Sequence, residues 1–325
     1  VIARLLTAIA LTQGAILCAS APQEPAKFSF EQVHFGNIPV ELTLYADDRE
    51  QADAAAKAAF ARVKELSAMM NDYAFDPPSP LNLIAAKAPK PVTVPSELLR
   101  ALQRSIEMHT ITAGAFDVTA KPFVQLWRTS RRIGQLPPEP RLQNARRYTD
   151  IKALVVDEGA STATLKKQGM WLDLGGLAKG MIGDEIVSLL QKRGIKRCRY
   201  RAGGDMVFGD APPGKDGWRV TVPDLLIERE GDKPKPLTFL AKNSAASVSG
   251  DVHRFVEIGG KRYAHVIDPR SGLGVTNRRV SCVRGKRGID TDPLATAGLI
   301  LDEKVWRAAL AKVPGCTGNI AVIKP

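Results

Sequence analysis

Asp173-Leu174-Gly175-Gly176-Leu177-Ala178-Lys179-Gly180 joins the two kinds of local structure that this chain mixes. A strand ends in Asp173, the Gly-Gly pair turns, and a helix opens with Lys179 in its first turn. Glycines let backbone N–H groups approach an anion, and a helix N-terminus favours negative charge. A lysine there opposes the helix dipole, which is odd for structure and sensible for a phosphate ligand. The GxxxxGK[ST] spacing of a nucleotide-binding loop is absent. Gly-Gly is also a common turn marker, so on spacing alone a structural turn and a phosphate site stand level.

Outward from that stretch, the helix runs from Ala178 to about Arg193 and stops at Gly194. Upstream, Phe28 to Tyr45 is strand-rich, with a turn at Gly36-Asn37-Ile38-Pro39. Apolar residues recur at three and four from Arg49 to Met70, a helical pattern. Asp76 to Pro80 reads as a loop. A second helix is expected from Ser96, as N-cap, to Gly114. Arg128 to Arg147 reads as basic, proline-containing and exposed, and Ile151 to Leu172 as short strands. Further short strands follow from Cys198 to Val283, with a charged surface loop at Ile227 to Pro236. A last helix is expected from Pro293 to Lys312. This order is mixed α and β, and favours antiparallel hairpins over an alternating parallel sheet.

The 325 residues are 44% hydrophobic, enough for a sizeable core. The formal net charge of +12 is scattered in pairs such as Arg131-Arg132, Arg146-Arg147 and Lys166-Lys167. With no basic stripe, zinc-ligand spacing or aromatic-basic signature, a nucleic-acid partner is not expected. Arg4, an apolar run from Leu5 to Leu17, and Ala19-Ser20-Ala21 have the order of a secretory signal. Residues 1–21 are therefore expected to be removed and 22–325 to form the working domain, in the periplasm or cell envelope. Lipidation at Cys18 is the alternative, disfavoured by the bulk of Leu17. Cys198, Cys282 and Cys316 give no disulfide framework; the first two are expected to be buried.

Four other segments carry candidate chemistry. Gly114-Ala115-Phe116-Asp117-Val118-Thr119 ends a helix, where Asp117 is ordinarily a turn residue. Ala202-Gly203-Gly204-Asp205 reads as a turn between strands. Ser249-Gly250-Asp251 precedes Tyr263-Ala264-His265-Val266-Ile267-Asp268-Pro269-Arg270-Ser271-Gly272, with His265 expected in a strand before an Asp-Pro turn. His34 and His253 are read as structural or surface groups. In Asp290-Thr291-Asp292-Pro293-Leu294-Ala295-Thr296, Asp292 is a natural N-cap with Pro293 at the first helical position. Asp292 and Thr296 are also four apart, which puts both oxygens on one side of a helix. A carboxylate, a hydroxyl and a backbone carbonyl suit Mg²⁺ shared with substrate phosphates.

In these motifs the sequence resembles the ApbE family, the FAD:protein FMN transferases. The likeness runs in order through Asn71-Asp72-Tyr73 with Ser79-Pro80-Leu81-Asn82, then 114–119 with Pro122 and Leu126-Trp127. It continues through 173–180 with Asp184, Gly203-Gly204-Asp205, Ser249-Gly250-Asp251, 265–272 and 292–296. The resemblance implies an α+β single domain of two related tunnelling-fold-like halves with FAD in the cleft between them. It implies FAD contacts at Tyr73, Phe116, Asp117, Asp173, Lys179, His265 and Ile267, and Mg²⁺ held by the Gly176 carbonyl, Asp292 and Thr296. His265, Asp292 and Lys179 are then the catalytic candidates, with His265 as base and Asp251 or Asp268 behind it. The implied partner is an exported flavoprotein domain bearing a target threonine, in a subunit of a membrane redox complex. Departures from the family pattern are Lys121 for a usual Gly, Arg201 for a small polar residue, Ala295 for an Asp in some members, and Val252 for a frequent Tyr. Two competing readings remain: an Mg²⁺-dependent FAD pyrophosphatase, and a non-catalytic FAD-binding envelope protein.

Overall fold

The computed structural model describes residues 24–227, 233–250 and 255–322. The secretory reading of 1–21, Cys18, Asp251, Val252 and His253 lie outside the described residues.

In chain order the helices are α1 (Arg49–Met69), α2 (Pro80–Lys87), α3 (Ser96–Ile111), α4 (Lys121–Ile133), α5 (Glu139–Arg147), α6 (Ala178–Lys192), α7 (Gly288–Gly298) and α8 (Glu303–Ala311). The strands begin with β1 (Ala26–His34), β2 (Ile38–Ala46), β3 (Val92–Thr93), β4 (Leu154–Asp157), β5 (Thr162–Leu165), β6 (Cys198–Ala202), β7 (Asp205–Phe208) and β8 (Trp218–Ile227). They continue with β9 (Lys235–Ala241), β10 (Ser244–Gly250), β11 (Phe255–Ile258), β12 (Lys261–Ala264), β13 (Ile267–Asp268), β14 (Leu273–Gly274), β15 (Arg279–Gly285) and β16 (Thr317–Val322).

A seven-stranded antiparallel sheet, ordered β1-β2-β6-β7-β10-β15-β16, is the frame. Alternation explains its inner face. Val40, Leu42 and Leu44 of β2 lie opposite Ala202, Tyr200 and Cys198 of β6, and all six are fully buried. Against them α1 sets Ala52, Ala55, Ala56, Ala59, Phe60, Val63 and Leu66, a stripe at helical spacing. Asp48 starts α1 by accepting the Gln51 N–H at 2.7 Å. On the far face the β8–β9 hairpin covers the sheet, with Trp218 and Val220 packed on Phe208, and Val222 and Leu225 packed on Val280 and Cys282.

The fold is α+β, and the sheet runs unbroken through both halves. One half joins β1, β2 and β6 to α1 and α6; the other joins β10, β15 and β16 to α7 and α8. At the seam α6 and α7 nearly touch backbone to backbone. A Cβ on Gly180 would stand 2.1 Å from the Gly288 carbonyl oxygen, so only glycine admits this approach.

Several sequence expectations need correction. Arg128 to Arg147 is mostly exposed, as expected, but much of it is helical, in α4 and α5, which a short link joins. Proline at the N-terminus of α4 is compatible with its first turn, and Phe123, Trp127 and Ser130 form its buried face. Ser96 is the first residue of α3 rather than its cap, which is Pro95. Ser79, accepting the Asn82 N–H at 3.1 Å, caps α2, so Pro80 is helical. The last helix is two, α7 and α8. No strand precedes Gly175-Gly176; Asp173 is held by donating its N–H to the Val118 carbonyl at 2.8 Å.

Candidate active site

The helix start that opposes its own dipole resolves through long-range pairing. Lys179 turns its ammonium to Asp205 Oδ2 (3.1 Å), Asp292 Oδ2 (3.3 Å) and the Gly175 carbonyl (3.0 Å). Asp205 opens β7 immediately after the Gly203-Gly204 turn, and Asp292 lies in α7. Both carboxylates are buried, at 4% and 3% exposure. Burial alone would lower the lysine pKa, but the two carboxylates outweigh it and raise it. Burial, and then the neighbouring Asp205, push Asp292 up to about 7, against the pull of Lys179 and the Gly180 N–H at 3.3 Å. Asp205 was legible only as part of a turn. Its role comes from a partner 26 positions earlier on another element, which local spacing does not reveal.

Asp292 is not an N-cap, and Pro293 is inside the helix. The reason is tertiary: Asp184 of α6 accepts the Gly288 N–H at 2.6 Å and the Ile289 N–H at 3.0 Å, and so caps α7 from outside, a turn earlier than the sequence suggests. Burial raises Asp184 to about 7, while those two N–H groups pull it down. Asp292 and Thr296 are therefore both helical, as their spacing requires. Thr296 is the one residue of α7 that is not buried. A side chain at Gly176 would meet Thr296 Oγ1 at 3.5 Å and Phe116 Cε2 at 3.2 Å, so Phe116, Gly176 and Thr296 converge.

The donor chemistry at this place suits a hard divalent cation. A carboxylate, a threonine hydroxyl and the carbonyls of the Gly-Gly turn gather where the protein already seats an ammonium on three oxygens.

A second charged group lies around Tyr73. Lys121, at 1% exposure, pairs with the Asp72 carboxylate and donates to the Asp72 carbonyl at 3.1 Å. Arg128 reaches Asp72 Oδ2 at 3.6 Å and Asp173 Oδ2 at 3.5 Å. Burial and Asp72 raise the pKa of Asp173, opposed by the Gly175 N–H (2.8 Å), Lys121 and Arg128. Tyr73 itself is 62% exposed.

The other sequence candidates fall as follows. Asp117 spends one oxygen on the Thr119 N–H (2.8 Å) and hydroxyl (2.6 Å), and its other oxygen lies 3.5 Å from His109 Nδ1. That matches its turn reading. Phe116 is buried behind the Gly-Gly turn. His265 is half-buried in a bend between β12 and β13, not in a strand as the sequence suggested. Ile267 is buried with Phe123, Trp127 and Tyr263, and Trp127 Nε1 donates to the Ala264 carbonyl at 2.9 Å. Asp268 is taken by Arg270, with contacts at 2.8 Å. Cys198 and Cys282 are buried, their thiols pushed up by burial to about 12 and about 11.

The ApbE family pattern matches residues 37–320. The FAD:protein FMN transferase of Treponema pallidum is 31% identical over 264 residues, which is 77% of this chain and 71% of that protein. The FAD:protein FMN transferase of Vibrio cholerae is 28% identical over 220 residues, covering 66% of this chain and 64% of that protein's length. In shape the chain is similar to the apo form of the flavinyl transferase ApbE of Pseudomonas stutzeri, with a TM-score of 0.78 at 19% identity over 93% of each chain. It is also similar to the ApbE protein of Thermotoga maritima, with a TM-score of 0.76 at 22% identity over 91% of this chain and 94% of that one. At these identities the two structural likenesses are statements of fold.

Proposed function

The chain belongs to the ApbE family, and from that footing we propose that it is a FAD:protein FMN transferase. In this reading it uses Mg²⁺, joins FMN to a threonine hydroxyl of an exported flavoprotein domain, and releases AMP. The observation that carries it is the Lys179 ammonium seated on Asp205, Asp292 and the Gly175 carbonyl beside a Gly-Gly turn. Hard oxygen donors and a largely enclosed cation at a helix start suit a pyrophosphate with its metal ion.

Each residue then has a physical task. The Gly176 carbonyl, Asp292 and Thr296 would hold Mg²⁺, which would supply positive charge to offset that of the pyrophosphate. Lys179 contributes positive charge beside the phosphates. Tyr73, Phe116, Asp117, Asp173 and Ile267 line the flavin part. His265 takes the proton from the threonine hydroxyl as its oxygen bonds to the FMN phosphorus. The bond from that phosphorus to the bridging oxygen breaks, and the oxygen leaves with AMP. Most of the rate comes from positioning and charge stabilisation, as in other phosphoryl transfers.

The acceptor is proposed to be a domain of a membrane redox complex, met in the periplasm or cell envelope after export. No helix among the described residues is long and apolar enough to cross a membrane.

The test mixes the full chain with FAD, Mg²⁺ and an acceptor domain bearing a candidate threonine, read by intact mass and in-gel flavin fluorescence. Flavin on the acceptor, lost with Asp292→Ala and sharply reduced with His265→Ala, is the expected result. AMP and free FMN without labelling, across several acceptors, would replace this reading with a pyrophosphatase. FAD left intact throughout would leave a flavin-binding protein.

A further inference from the structure

Among the described residues, Lys121 is the most deeply buried ammonium whose role the reaction above does not require. It is the first residue of α4, and Arg128 follows it by seven positions, so both reach out from one face of that helix. Both reach the same short loop. Lys121 Nζ lies 4.8 Å from the centroid of the Tyr73 ring and Arg128 Cζ lies 4.7 Å from it. Both also contact the same oxygen, Asp72 Oδ2. That shared contact keeps the two cations close together at a ring that is itself 62% exposed.

The two cations differ. Lys121 is enclosed and bound twice to Asp72, through its carboxylate and its carbonyl. Arg128 is 40% exposed and its ion pairs are long, at 3.6 and 3.5 Å. The loop is fastened elsewhere by the Phe75 ring, edge-on to Trp171 at 5.3 Å between centroids, and by bonds to its backbone. Tyr73 donates its N–H to Asn71 Oδ1 (2.9 Å), Ser79 Oγ donates to the Asn71 carbonyl (2.6 Å), and Asn82 Nδ2 donates to the Ala74 carbonyl (2.8 Å). None of these bonds touches the phenol ring. The two cations contact the ring itself.

Burying an ammonium is costly unless it is fully paired, and an apolar side chain of similar length would close the same space more cheaply. The geometry points to Lys121 as a positioning residue that holds the exposed Tyr73 ready for a planar aromatic ring, with Arg128 as its exposed partner. This rests on the flavin-transferase reading, in which that ring is the isoalloxazine of FAD. Lys121 does not touch the ligand; it acts through Tyr73. A desolvated cation is attracted to an aromatic face. Its loss lets the phenol rotate and removes a preorganised stacking surface.

The experiment measures FAD binding by the full chain, by flavin fluorescence and by titration, in a two-by-two set: wild type, Lys121→Met, Tyr73→Leu and the double variant. Thermal unfolding of each variant is followed in parallel, and Lys121→Arg serves as the conservative replacement. Lys121→Met is expected to weaken FAD binding about tenfold and to restore part of the flavin fluorescence that stacking quenches, with kcat changed less than KM. In the Tyr73→Leu background the same replacement should change FAD affinity less than about twofold, because the ring it acts through is gone. Lys121→Arg should recover part of the loss. An equal loss in both backgrounds would make Lys121 a general structural ion pair and overturn the proposal. No loss in the single variant would overturn it too. FAD binding with this coupling but no labelled acceptor would sink the transferase and leave the positioning role standing. A wild-type chain that binds no FAD would end both.

Discussion

Asp290 and Asp292 lie two residues apart on α7, and both are buried, at 4% and 3% exposure. Their cations differ. Asp290 receives two arginines: Arg104 Nε at 2.8 Å from α3, and Arg287 through Nε at 2.8 Å and Nη2 at 3.0 Å. Asp292 receives one lysine at 3.3 Å, shared with Asp205, and one N–H at the same distance. Planar forks with short bonds fix a carboxylate in place. A shared point charge at longer range leaves a carboxylate that can give its oxygen to another cation. Burial is equal on this helix; the kind and distance of the cations separate Asp290 from Asp292, the reactive acid of the proposed function.

The largest effect should come from Asp292→Ala. Flavin transfer is expected to fall by about a thousandfold or more, roughly 4 kcal/mol of transition-state stabilisation. Stability to urea should hold or rise, because a carboxylate repelled by Asp205 is gone. A loss of stability as large as the loss of activity would break the distinction.

Asp184 extends the comparison to a buried acid whose carboxylate accepts two backbone N–H groups. Its pKa in the fold, about 7, lies above the ordinary value of 3.8. A raised pKa contributes stability that is fully present below about pH 4 and lost as pH rises through about 7. The contribution is at most about 4 kcal/mol at roughly 1.4 kcal/mol per pKa unit. Urea midpoints measured from pH 5 to 8 should fall, and Asp184→Asn should flatten that slope. An unchanged slope in the variant would remove Asp184 as its source.

Asp290→Ala leaves the largely buried Arg104 with only the exposed Glu107 as an acidic partner. Breaking such a pair should cost on the order of 3 kcal/mol in unfolding free energy, while the folded variant keeps its FAD affinity. A loss of affinity matching that of Asp292→Ala would erase the difference between the two acids. At the small end stands the exposed pair Arg49–Asp53, at 71% and 50% side-chain exposure. Asp53→Ala should change stability by less than about 0.5 kcal/mol, and a larger change would mean that burial is not what gives the α7 acids their weight.

Legibility followed the same division. The Gly-Gly turn, the helix after it and the hairpin of β1 and β2 were readable, because turn chemistry and periodicity are local. Helix α4 was hidden by Pro122 and by its basic residues, although Phe123, Trp127 and Ser130 carried a helical spacing. The start of α7 was misplaced because Asp292-Pro293 makes a convincing local cap, while the real cap, Asp184, is more than a hundred residues away. Asp205 looked like a turn residue because its partner Lys179 sits on another element. Lys121 stood out only as a departure from a family pattern; its bond to Asp72 and its place beside Tyr73 were invisible.

By itself the sequence determined the mixed α and β class, the glycine turns, the membership of Asp292 and Thr296 on one side of a helix, and the family. These depend on residues within a turn or two of each other, or on motifs kept in order. Only the tertiary structure decided which carboxylates share Lys179, which acid caps α7, and which cations stand beside Tyr73. Those pairings depend on Coulomb interactions between groups brought together from distant positions, and their strength is set by burial, which no local pattern encodes.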